Sequence, residues 1–412
     1  MNTHTLQEIY APEAVEAQEK RYAKAAAEFK NLFGCAATDI FSAPGRTEVG
    51  GNHTDHQHGR VLAAGVSLDV IAMVVPTDDG IIEIKSEGFP ADKIDTADLE
   101  PKENEKNTSA SLIRGVCAGF KKSGHNVGGF KAYTTSNVLK GSGLSSSAAF
   151  EVLIGNILNG LYNYGEVSDV EIAKLSQYAE NVFFGKPSGL MDQMASSVGG
   201  FITIDFKDPA EPVIEAISFD FASSGYSLCI VDTKGNHADL TPEYAAIPVE
   251  MKQVACFFGK EYLRDVTKQE ILQDLAALRA EVGDRAVLRA LHFEDDNERV
   301  PKQAEALRRG DTETFLNLVK ESGRSSYMYL QNVFASSAPR EQGLSTALYL
   351  ASEILGDEGA YRVHGGGFAG TIQAFVPADK LGRFKAETEA VFGEGSCYVL
   401  SIRPFGGTRV VI

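Results

Sequence analysis

Residues 141–149 read Gly141-Ser142-Gly143-Leu144-Ser145-Ser146-Ser147-Ala148-Ala149 and lead directly into a segment with helical periodicity. Apolar side chains recur four residues apart in that segment, at Ala149, Leu153, Ile157 and Leu161, so a glycine- and serine-rich loop is predicted to feed a helix N-terminus. Such a loop offers backbone N–H groups, small side chains and the positive end of a helix dipole, which together suit a phosphate group. An ordinary loop with a serine N-cap is the alternative.

The chain contains no G-x-x-x-x-G-K-[ST] motif, so other groups have to replace the lysine of a Walker-type loop. A divalent cation on a nucleotide needs hard oxygen ligands, commonly a hydroxyl and a carboxylate together with phosphate oxygens. Ser145 or Ser146 with Glu180 could supply these ligands. Taken by itself, Glu180 is typical of a solvated residue on a helix that Gly185-Lys186-Pro187 ends.

Two further polar residues are candidates for catalysis. Asp192 follows the helix breakers Pro187 and Gly189, so its default role is a helix N-cap, and its functional role is a base that accepts a hydroxyl proton. Arg46 lies in Pro44-Gly45-Arg46, which predicts a tight turn that fixes the direction of the guanidinium. Beside Asp192 this cation would keep the carboxylate ionised; elsewhere it would form a surface salt bridge of little energetic value.

Three of the eight histidines lie between His53 and His58. No acidic or cysteine partner at the usual ligand spacing completes a metal site there, so hydrogen bonding of a polyhydroxylated ligand by Asn52, His53 and Asp55 is the preferred interpretation. His364-Gly365-Gly366-Gly367 does not fit a hydrolase oxyanion loop, because the chain lacks G-x-S-x-G and these glycines follow every serine-rich candidate.

Length and composition limit the possible architectures. With 412 residues, of which 43% are hydrophobic and 23% charged, the chain is expected to form two domains with a boundary near residues 208–216. A net charge of −17 disfavours nucleic-acid partners. The five cysteines are widely spaced, and no apolar stretch reaches membrane-spanning length, so we expect a cytoplasmic protein without disulfides.

The remaining patterns predict the main elements. They indicate one or two helices over residues 6–33, a β-hairpin formed by residues 66–75 and 81–85, and a solvated loop over residues 93–106. The second half is predicted to alternate strands and helices, including a strand at residues 226–232 and a helix at residues 343–355.

Three separated motifs resemble those of galactokinases, within the superfamily of galactose, homoserine, mevalonate and phosphomevalonate kinases. Residues 43–55 resemble the galactokinase signature, residues 143–149 the phosphate loop of the superfamily, and residues 365–370 its C-terminal glycine motif. The resemblance spans essentially the whole chain. It implies an α+β fold with an N-terminal domain like ribosomal protein S5 domain 2 (residues 1–215), a ferredoxin-like C-terminal domain (residues 216–412), and an active site in the cleft between them.

The resemblance also implies an activity: phosphoryl transfer from ATP, with Mg²⁺, to the C1 hydroxyl of galactose. Asp192 would be the catalytic base, and Arg46 would orient it and neutralise charge. The other implied site residues are the sugar contacts Asn52, His53, Asp55, Gly189, Asp192 and Tyr244, the ATP contacts Gly141, Gly143, Leu144, Ser145, Ser146, Ser147 and Ala148, and the metal ligands Ser145, Ser146 and Glu180. The expected partners are a small-molecule sugar and ATP, without nucleic acid or membrane, and the protein is expected to be a monomer or weak oligomer.

The signature departs from the family pattern at Glu48, Gly50, Asn52 and His56, where relatives usually carry Asn, Ile, Glu and Tyr. A neutral amide at position 52 alters the contact to the far end of the sugar and removes repulsion against a carboxylated sugar. Galacturonate, N-acetylgalactosamine and arabinose therefore stay open as substrates. A sensor that binds sugar and ATP without catalysis is the alternative from another class.

Overall fold

The structure, a computed structural model, describes residues 3–138, 143–186, 188–235 and 240–412. Its strands are β1 (Thr3–Thr5), β2 (Asp39–Gly50), β3 (Arg60–Thr77), β4 (Ile81–Ser86), β5 (Ala91–Asp95), β6 (Gly129–Ser136), β7 (Phe201–Asp205), β8 (Val213–Ile217), β9 (Tyr226–Asp232), β10 (Ala360–Val363), β11 (Thr371–Pro377), β12 (Cys397–Leu400) and β13 (Thr408–Val411). Its helices are α1 (Leu6–Ile9), α2 (Val15–Phe33), α3 (Ser109–Lys122), α4 (Ser146–Tyr162), α5 (Asp169–Tyr178), α6 (Met191–Val198), α7 (Thr241–Phe257), α8 (Lys268–Gln273), α9 (Leu275–Val282), α10 (Asp284–Arg308), α11 (Thr312–Ser325), α12 (Gly343–Leu355) and α13 (Leu381–Phe392). The π-helical segments Ala179–Phe184 and Ser326–Leu330 extend α5 and α11.

The larger sheet is organised around the long strands β2 and β3. Over the described residues its order is β1-β13-β2-β3-β6-β4-β5, and β7 pairs with β3 and carries β8. Alternate side chains of β3 enter different cores, because successive residues of a strand point to opposite faces. Ala72 and Val74 join the cluster formed with α3 and α4, whereas Ile71 and Met73 join the cluster formed with α1 and α2. The sheet is therefore covered by helices on both faces.

The expected hairpin of residues 66–75 with residues 81–85 is wrong. β6 lies between the two strands, antiparallel to β3 and parallel to β4. β4 forms its hairpin with β5, which takes up part of the expected solvated loop at residues 93–106 and buries Ile94. The strand that separates β3 from β4 comes from residues 129–136, and a local sequence pattern cannot predict pairing with so distant a segment.

The smaller sheet is antiparallel and has the order β10-β11-β9-β12 over the described residues. The strand predicted at residues 226–232 and the helix predicted at residues 343–355 are confirmed as β9 and α12. α12 and α13 pack against this sheet in one apolar cluster, and α7 to α10 form a second one. Within the described ranges, none of the helices has the length and apolar character that a membrane span requires.

The chain crosses between the two sheets more than once. The expected boundary between residues 215 and 216 falls inside β8, which pairs with β7 of the larger sheet. β13 belongs to the segment assigned to the second domain, yet it pairs with β2 of the larger sheet. Arg403, just before β13, is fully buried and donates from Nη1 to Asp69 Oδ2 at 2.9 Å and to Ser42 Oγ at 2.7 Å. A buried ion pair thus anchors the returning C-terminal segment.

Candidate active site

Arg46 lies in a strand rather than in a turn. The expected tight turn at Pro44-Gly45-Arg46 is wrong, since these residues belong to β2, whose pairing with β3 shifts at a β-bulge just before Arg46. A bulge of this kind redirects the side chain that follows it. Gly45 permits close approach to the glycine- and serine-rich loop before α4 (the serine loop), because a Cβ on Gly45 would lie 2.9 Å from Leu144 O. The backbone N–H of Arg46 donates to Leu144 O at 3.1 Å, and its Nη1 donates to Gly143 O.

Asp192 is held from two sides by Arg46 and Ser145. α6 begins at Met191 with Leu190 as its N-cap, so the N-cap role considered for Asp192 is wrong and the residue lies in the first turn. Its Oδ1 accepts from Arg46 Nε at 2.7 Å, and its Oδ2 accepts from Ser145 Oγ at 2.7 Å. Burial would raise the pKa of Asp192, but the Arg46 charge and these hydrogen bonds outweigh it and lower the pKa. The carboxylate is therefore ionised at neutral pH, and 23% of the side chain remains exposed.

The serine loop ends at the N-terminus of α4, as the sequence predicts. Ser145 adopts a left-handed conformation with φ of 58°, and the helix begins at Ser146. Helix geometry leaves the first N–H groups of α4 without intrahelical partners, so they are available to an anion. The side chains of Leu144 and Ala148 are buried in the core, so only their backbones can serve a ligand. Gly141, an expected ATP contact, lies outside the described residues.

Glu180 is the centre of a buried polar cluster beside α4. It lies in the first π-helical segment with 1% exposure, so the alternative of a solvated helix residue is wrong. Its carboxylate accepts four hydrogen bonds in the described part of the chain: Oε1 from Ser147 Oγ (3.0 Å) and Lys186 Nζ (3.0 Å), and Oε2 from Ser188 Oγ (2.6 Å) and Gln193 Nε2 (2.8 Å). The serine loop therefore reaches Glu180 through Ser147, and it reaches Asp192 through Ser145.

A second carboxyl group, Glu151 of α4, lies behind this cluster. Gln193 Nε2 donates both to Glu151 Oε2 at 3.0 Å and to Glu180 Oε2 at 2.8 Å. Burial, and secondarily the Glu180 charge, raises the pKa of Glu151 well above its usual value. Burial beside Glu180 therefore favours the protonated form of Glu151, which reduces the repulsion between two carboxyl groups that share one amide.

His53 and Asp55 follow β2 on a short loop that contacts both the glycine motif and the turn before α6. His53 Nε2 lies 3.0 Å from Gly366 O, so Nε2 carries the proton and Nδ1 is an acceptor. Burial, and then the neighbouring His56, lowers the pKa of His53 to about 4, so the ring is neutral. Asp55 lies against Gly189, where a Cβ would be 2.6 Å from Asp55 Oδ2. The structure thus brings the signature loop next to the start of α6.

Tyr244 is positioned by the glycine motif near the end of the chain. Its hydroxyl donates to Gly367 O at 2.8 Å, and its ring meets Phe368 edge to face. Gly366 is required at this contact, because a Cβ there would lie 2.7 Å from Tyr244 Cε1. Burial raises the pKa of Tyr244 to about 12. His53 also contacts Gly366, so the same glycine motif positions both His53 and Tyr244, two of the expected sugar contacts.

Asn52 has a different environment from the one expected of a ligand-binding residue. Its side chain is 0% exposed, and all four hydrogen-bonding positions of its amide are used by protein groups. Nδ2 donates to Glu48 Oε1 (2.9 Å) and Gly365 O (2.8 Å), and Oδ1 accepts from Ser326 Oγ (3.1 Å) and Asn332 Nδ2 (2.9 Å). Asn52 therefore joins the signature loop to the C-terminal half of the chain and presents no polar group to a ligand in this structure.

Three of the departures from the family signature, at Glu48, Asn52 and Gly50, are accommodated by contacts inside the protein. Glu48 and Asn52 exchange the asparagine and glutamate of the usual pattern, and they remain in contact as one acid and one amide. Glu48 also accepts from the buried Arg362 Nη2 at 2.9 Å. At Gly50 a Cβ would lie 2.0 Å from Gln303 Oε1, so Gln303 of α10 occupies the space that an isoleucine would take.

Comparison with known proteins identifies the family. Residues 27–76 match the galactokinase galactose-binding signature, and residues 111–200 match the GHMP kinases N terminal domain. The galactokinase of Streptomyces coelicolor is 32% identical over 394 residues, which cover 93% of this chain and 97% of that protein. The chain belongs to the galactokinase family. The family signature contains Arg46 and Asp55, and the matched kinase domain contains the serine loop, Glu180 and Asp192.

Solved structures show that this galactokinase-family chain has the expected fold. The Lactococcus lactis galactokinase complexed with galactose superposes with a TM-score of 0.79 at 24% identity, over 94% of this chain and 99% of that one. The mevalonate kinase of Methanococcus jannaschii superposes with a TM-score of 0.63 at 15% identity, over 88% and 98% of the two chains. The α+β fold of two domains is therefore confirmed.

Several residues that complete the site carry no signal in the sequence. Lys186 stands between a glycine and a proline, and its position is fully explained there by helix termination. Glu151, Ser188 and Gln193 have no spacing that separates them from ordinary polar residues of a helix or turn. These groups converge on Glu180 of the π-helical segment, which accepts from Lys186, Ser188 and Gln193, and Gln193 in turn donates to Glu151.

Proposed function

We propose that this protein transfers the γ-phosphoryl group of ATP to the C1 hydroxyl of galactose. The observation that carries the proposal is the ionised Asp192, held by Arg46 and Ser145 at the N-terminal end of α4. Membership of the galactokinase family and the match to its galactose-binding signature support a sugar kinase. A base next to a phosphate-binding helix end is the arrangement that phosphoryl transfer to a hydroxyl requires.

Asp192 accepts the proton of the sugar hydroxyl as the hydroxyl oxygen attacks the γ-phosphorus. The new P–O bond forms while the bond to the β,γ-bridging oxygen breaks, and ADP leaves. General base catalysis of this kind contributes about 10²- to 10⁴-fold to the rate. Arg46 keeps the base ionised, while the first N–H groups of α4 and the serine hydroxyls stabilise phosphate charge.

The residues around Glu180 fit a magnesium ion that the nucleotide largely holds. Among the described residues, no three His, Cys, Asp or Glu side chains converge on one point, so phosphate oxygens have to complete the coordination. Glu180 and Ser147 offer hard oxygen donors that already lie 3.0 Å apart. Bound there, the metal would neutralise charge on the phosphates. In this arrangement Ser147 is a better ligand than Ser145, whose hydroxyl contacts Asp192, and Ser146 stays a prediction.

The sugar contacts that we propose favour a neutral sugar. His53 Nδ1 is an acceptor, and Asp55 and Asp192 are carboxylates, so these groups receive hydrogen bonds from hydroxyls and repel a carboxylated sugar. Because Asn52 is buried and fully bonded, the lost charge at position 52 no longer favours galacturonate. N-Acetylgalactosamine and arabinose remain alternatives. Cytoplasmic location and a monomeric or weakly oligomeric state stay predictions.

The test is ADP release with Mg-ATP against galactose, N-acetylgalactosamine, arabinose, glucose and galacturonate. We expect the highest kcat/KM with galactose and a loss of turnover in Asp192→Asn, which keeps the side-chain shape. If another sugar gave the highest kcat/KM, the assignment as a sugar kinase would stand and the assignment of galactose as the substrate would be wrong. Galactose binding without turnover of any sugar would favour the sensor alternative, against which the intact Arg46–Asp192 pair argues.

A further inference from the structure

Lys186 is a cation beside Glu180 that the family motifs leave unexplained. It follows Gly185, whose left-handed φ of 87° ends the π-helical segment. Its Nζ lies 3.0 Å from Glu180 Oε1, although 55% of the lysine side chain is exposed. The Glu180 side chain is only 2% exposed, so the ammonium group compensates a buried negative charge from the solvent side. Lys186 therefore serves as the counter-charge of Glu180, while its half-exposed side chain keeps the freedom to turn toward a bound ligand.

The ammonium group of Lys186 is associated with both the proposed metal ligand and the proposed base. Glu180 Oε1 also accepts from Ser147 Oγ at 3.0 Å, so Lys186 Nζ and the first turn of α4 converge on one carboxylate oxygen. The Lys186 charge also acts on Asp192, where it adds to the larger effect of Arg46 in lowering the pKa of that carboxyl. Lys186 thus contacts the proposed metal ligand, and its charge also acts on the proposed base.

We propose that Lys186 is a further catalytic residue, which leaves Glu180 when the nucleotide binds and donates to oxygens of the γ-phosphoryl group of ATP. This inference rests on the proposed function. A lysine suits the role because its long stem is flexible and its ammonium carries three donors. Arg46 is already committed to Asp192 and Gly143 O, so its guanidinium has little freedom to follow the transferred group. Lys186 supplies from another loop the cation that a Walker-type lysine would provide.

The kinetic test compares Lys186→Gln with Lys186→Arg. A charge-assisted hydrogen bond to the transferred group accounts for about 10- to 100-fold in kcat/KM for Mg-ATP, which Lys186→Gln should lose and Lys186→Arg should largely keep. The matched control is Lys106→Gln, which removes the same charge nearby. Lys106 is close in space, since its Cδ would lie 3.7 Å from a Cβ built on Gly185. Its ammonium group pairs with Glu103 at 2.7 Å and not with Glu180, so Lys106→Gln should leave kcat/KM unchanged. A Lys186→Gln rate within about twofold of wild type would overturn the proposal.

A second readout needs neither metal nor sugar. ATP and ADP are titrated into wild type and Lys186→Gln by calorimetry in EDTA, after thermal unfolding has shown that both proteins are folded. We expect about tenfold weaker ATP binding in the variant and unchanged ADP binding, because ADP lacks the γ-phosphoryl group. Equal ATP affinity, or an equal loss for ADP, would overturn the contact. Wild-type protein without sugar turnover would contradict the proposed function instead, and the calorimetric comparison would still decide the role of Lys186.

Discussion

Arg46 Nε lies 2.7 Å from Asp192 Oδ1, although the two residues are 146 positions apart in the sequence. The same guanidinium donates from Nη1 to Gly143 O, so one side chain fixes the proposed base relative to the serine loop. Asp192 in turn receives Ser145 Oγ on its second oxygen. Strand β2, the serine loop and α6 are therefore locked together where a hydroxyl and a phosphoryl group would have to meet.

Replacing Arg46 by methionine should change the pH dependence of catalysis. In wild type the pKa of Asp192 is depressed, so kcat/KM for galactose should fall only when the pH drops through that low value. Without the guanidinium, burial raises the pKa of Asp192 with less opposition, and the acid limb should move to higher pH. Arg46→Lys keeps a charge and should shift the limb less. An acid limb at the same pH in Arg46→Met would contradict this account of the pair.

Gly189→Ala should weaken galactose binding selectively. Its Cβ would lie 2.6 Å from Asp55 Oδ2, so the Asp55 carboxylate would have to move away from its position. Loss of one hydrogen bond to the sugar corresponds to roughly tenfold in KM for galactose, with KM for Mg-ATP unchanged. Gly382→Ala is the control, because nothing lies within 4 Å of that Cβ. Steady-state kinetics on both substrates checks this, and a similar rise in both KM values would count against Asp55 as a sugar contact.

The exchanged pair Glu48 and Asn52 should show strong energetic coupling. Asn52→Glu places a second carboxylate beside Glu48, and Glu48→Asn leaves the buried Arg362 without its acid. Each single change is expected to destabilise the fold by about 3 kcal/mol. The double variant restores one acid and one amide, so its loss should fall short of the sum by about 1–3 kcal/mol. Urea unfolding of the four proteins measures this, and additive losses would show that the two residues act independently.

Glu180→Gln should raise the magnesium requirement. The variant keeps the shape of the side chain but removes the carboxylate, so Mg²⁺ loses the one charged protein ligand that we propose. We expect the Mg²⁺ concentration for half-maximal rate to increase at least about tenfold, with partial recovery of the rate at high Mg²⁺. The control is Glu171→Gln, which removes an acid paired with His125 at 2.8 Å near the start of α5, the helix that the π-helical segment with Glu180 extends. A Mg²⁺ titration at fixed ATP that gives the same midpoint in Glu180→Gln and wild type would exclude Glu180 as the ligand.

Local patterns predicted the elements that local interactions determine. β9 and α12 have the predicted bounds. The position of β6 between β3 and β4 was not predictable in this way, because it depends on pairing with a distant segment. Pro44 and Gly45 suggested a turn, whereas the strand accommodates them through a bulge.

In the site, too, the sequence predicted local features and missed those that depend on distant segments. Arg46 and the serine loop lie in motifs that carry the family resemblance, whereas the roles expected of Asp192 and Glu180 followed only from what that resemblance implies. The burial of Asn52 depends on Ser326 and Asn332, which lie about 280 residues further along the chain, so a motif centred on the signature could not reveal it.

The most direct measurement for the central claim, that Asp192 and Arg46 serve phosphoryl transfer to the anomeric hydroxyl of galactose, is a phosphorus NMR spectrum of the product. With wild-type protein, Mg-ATP and galactose, we predict a new phosphate signal coupled to the anomeric proton. Asp192→Asn should bind galactose and form none of this product. A wild-type spectrum without a phosphorylated sugar, or product formation by Asp192→Asn at the wild-type rate, would contradict the account.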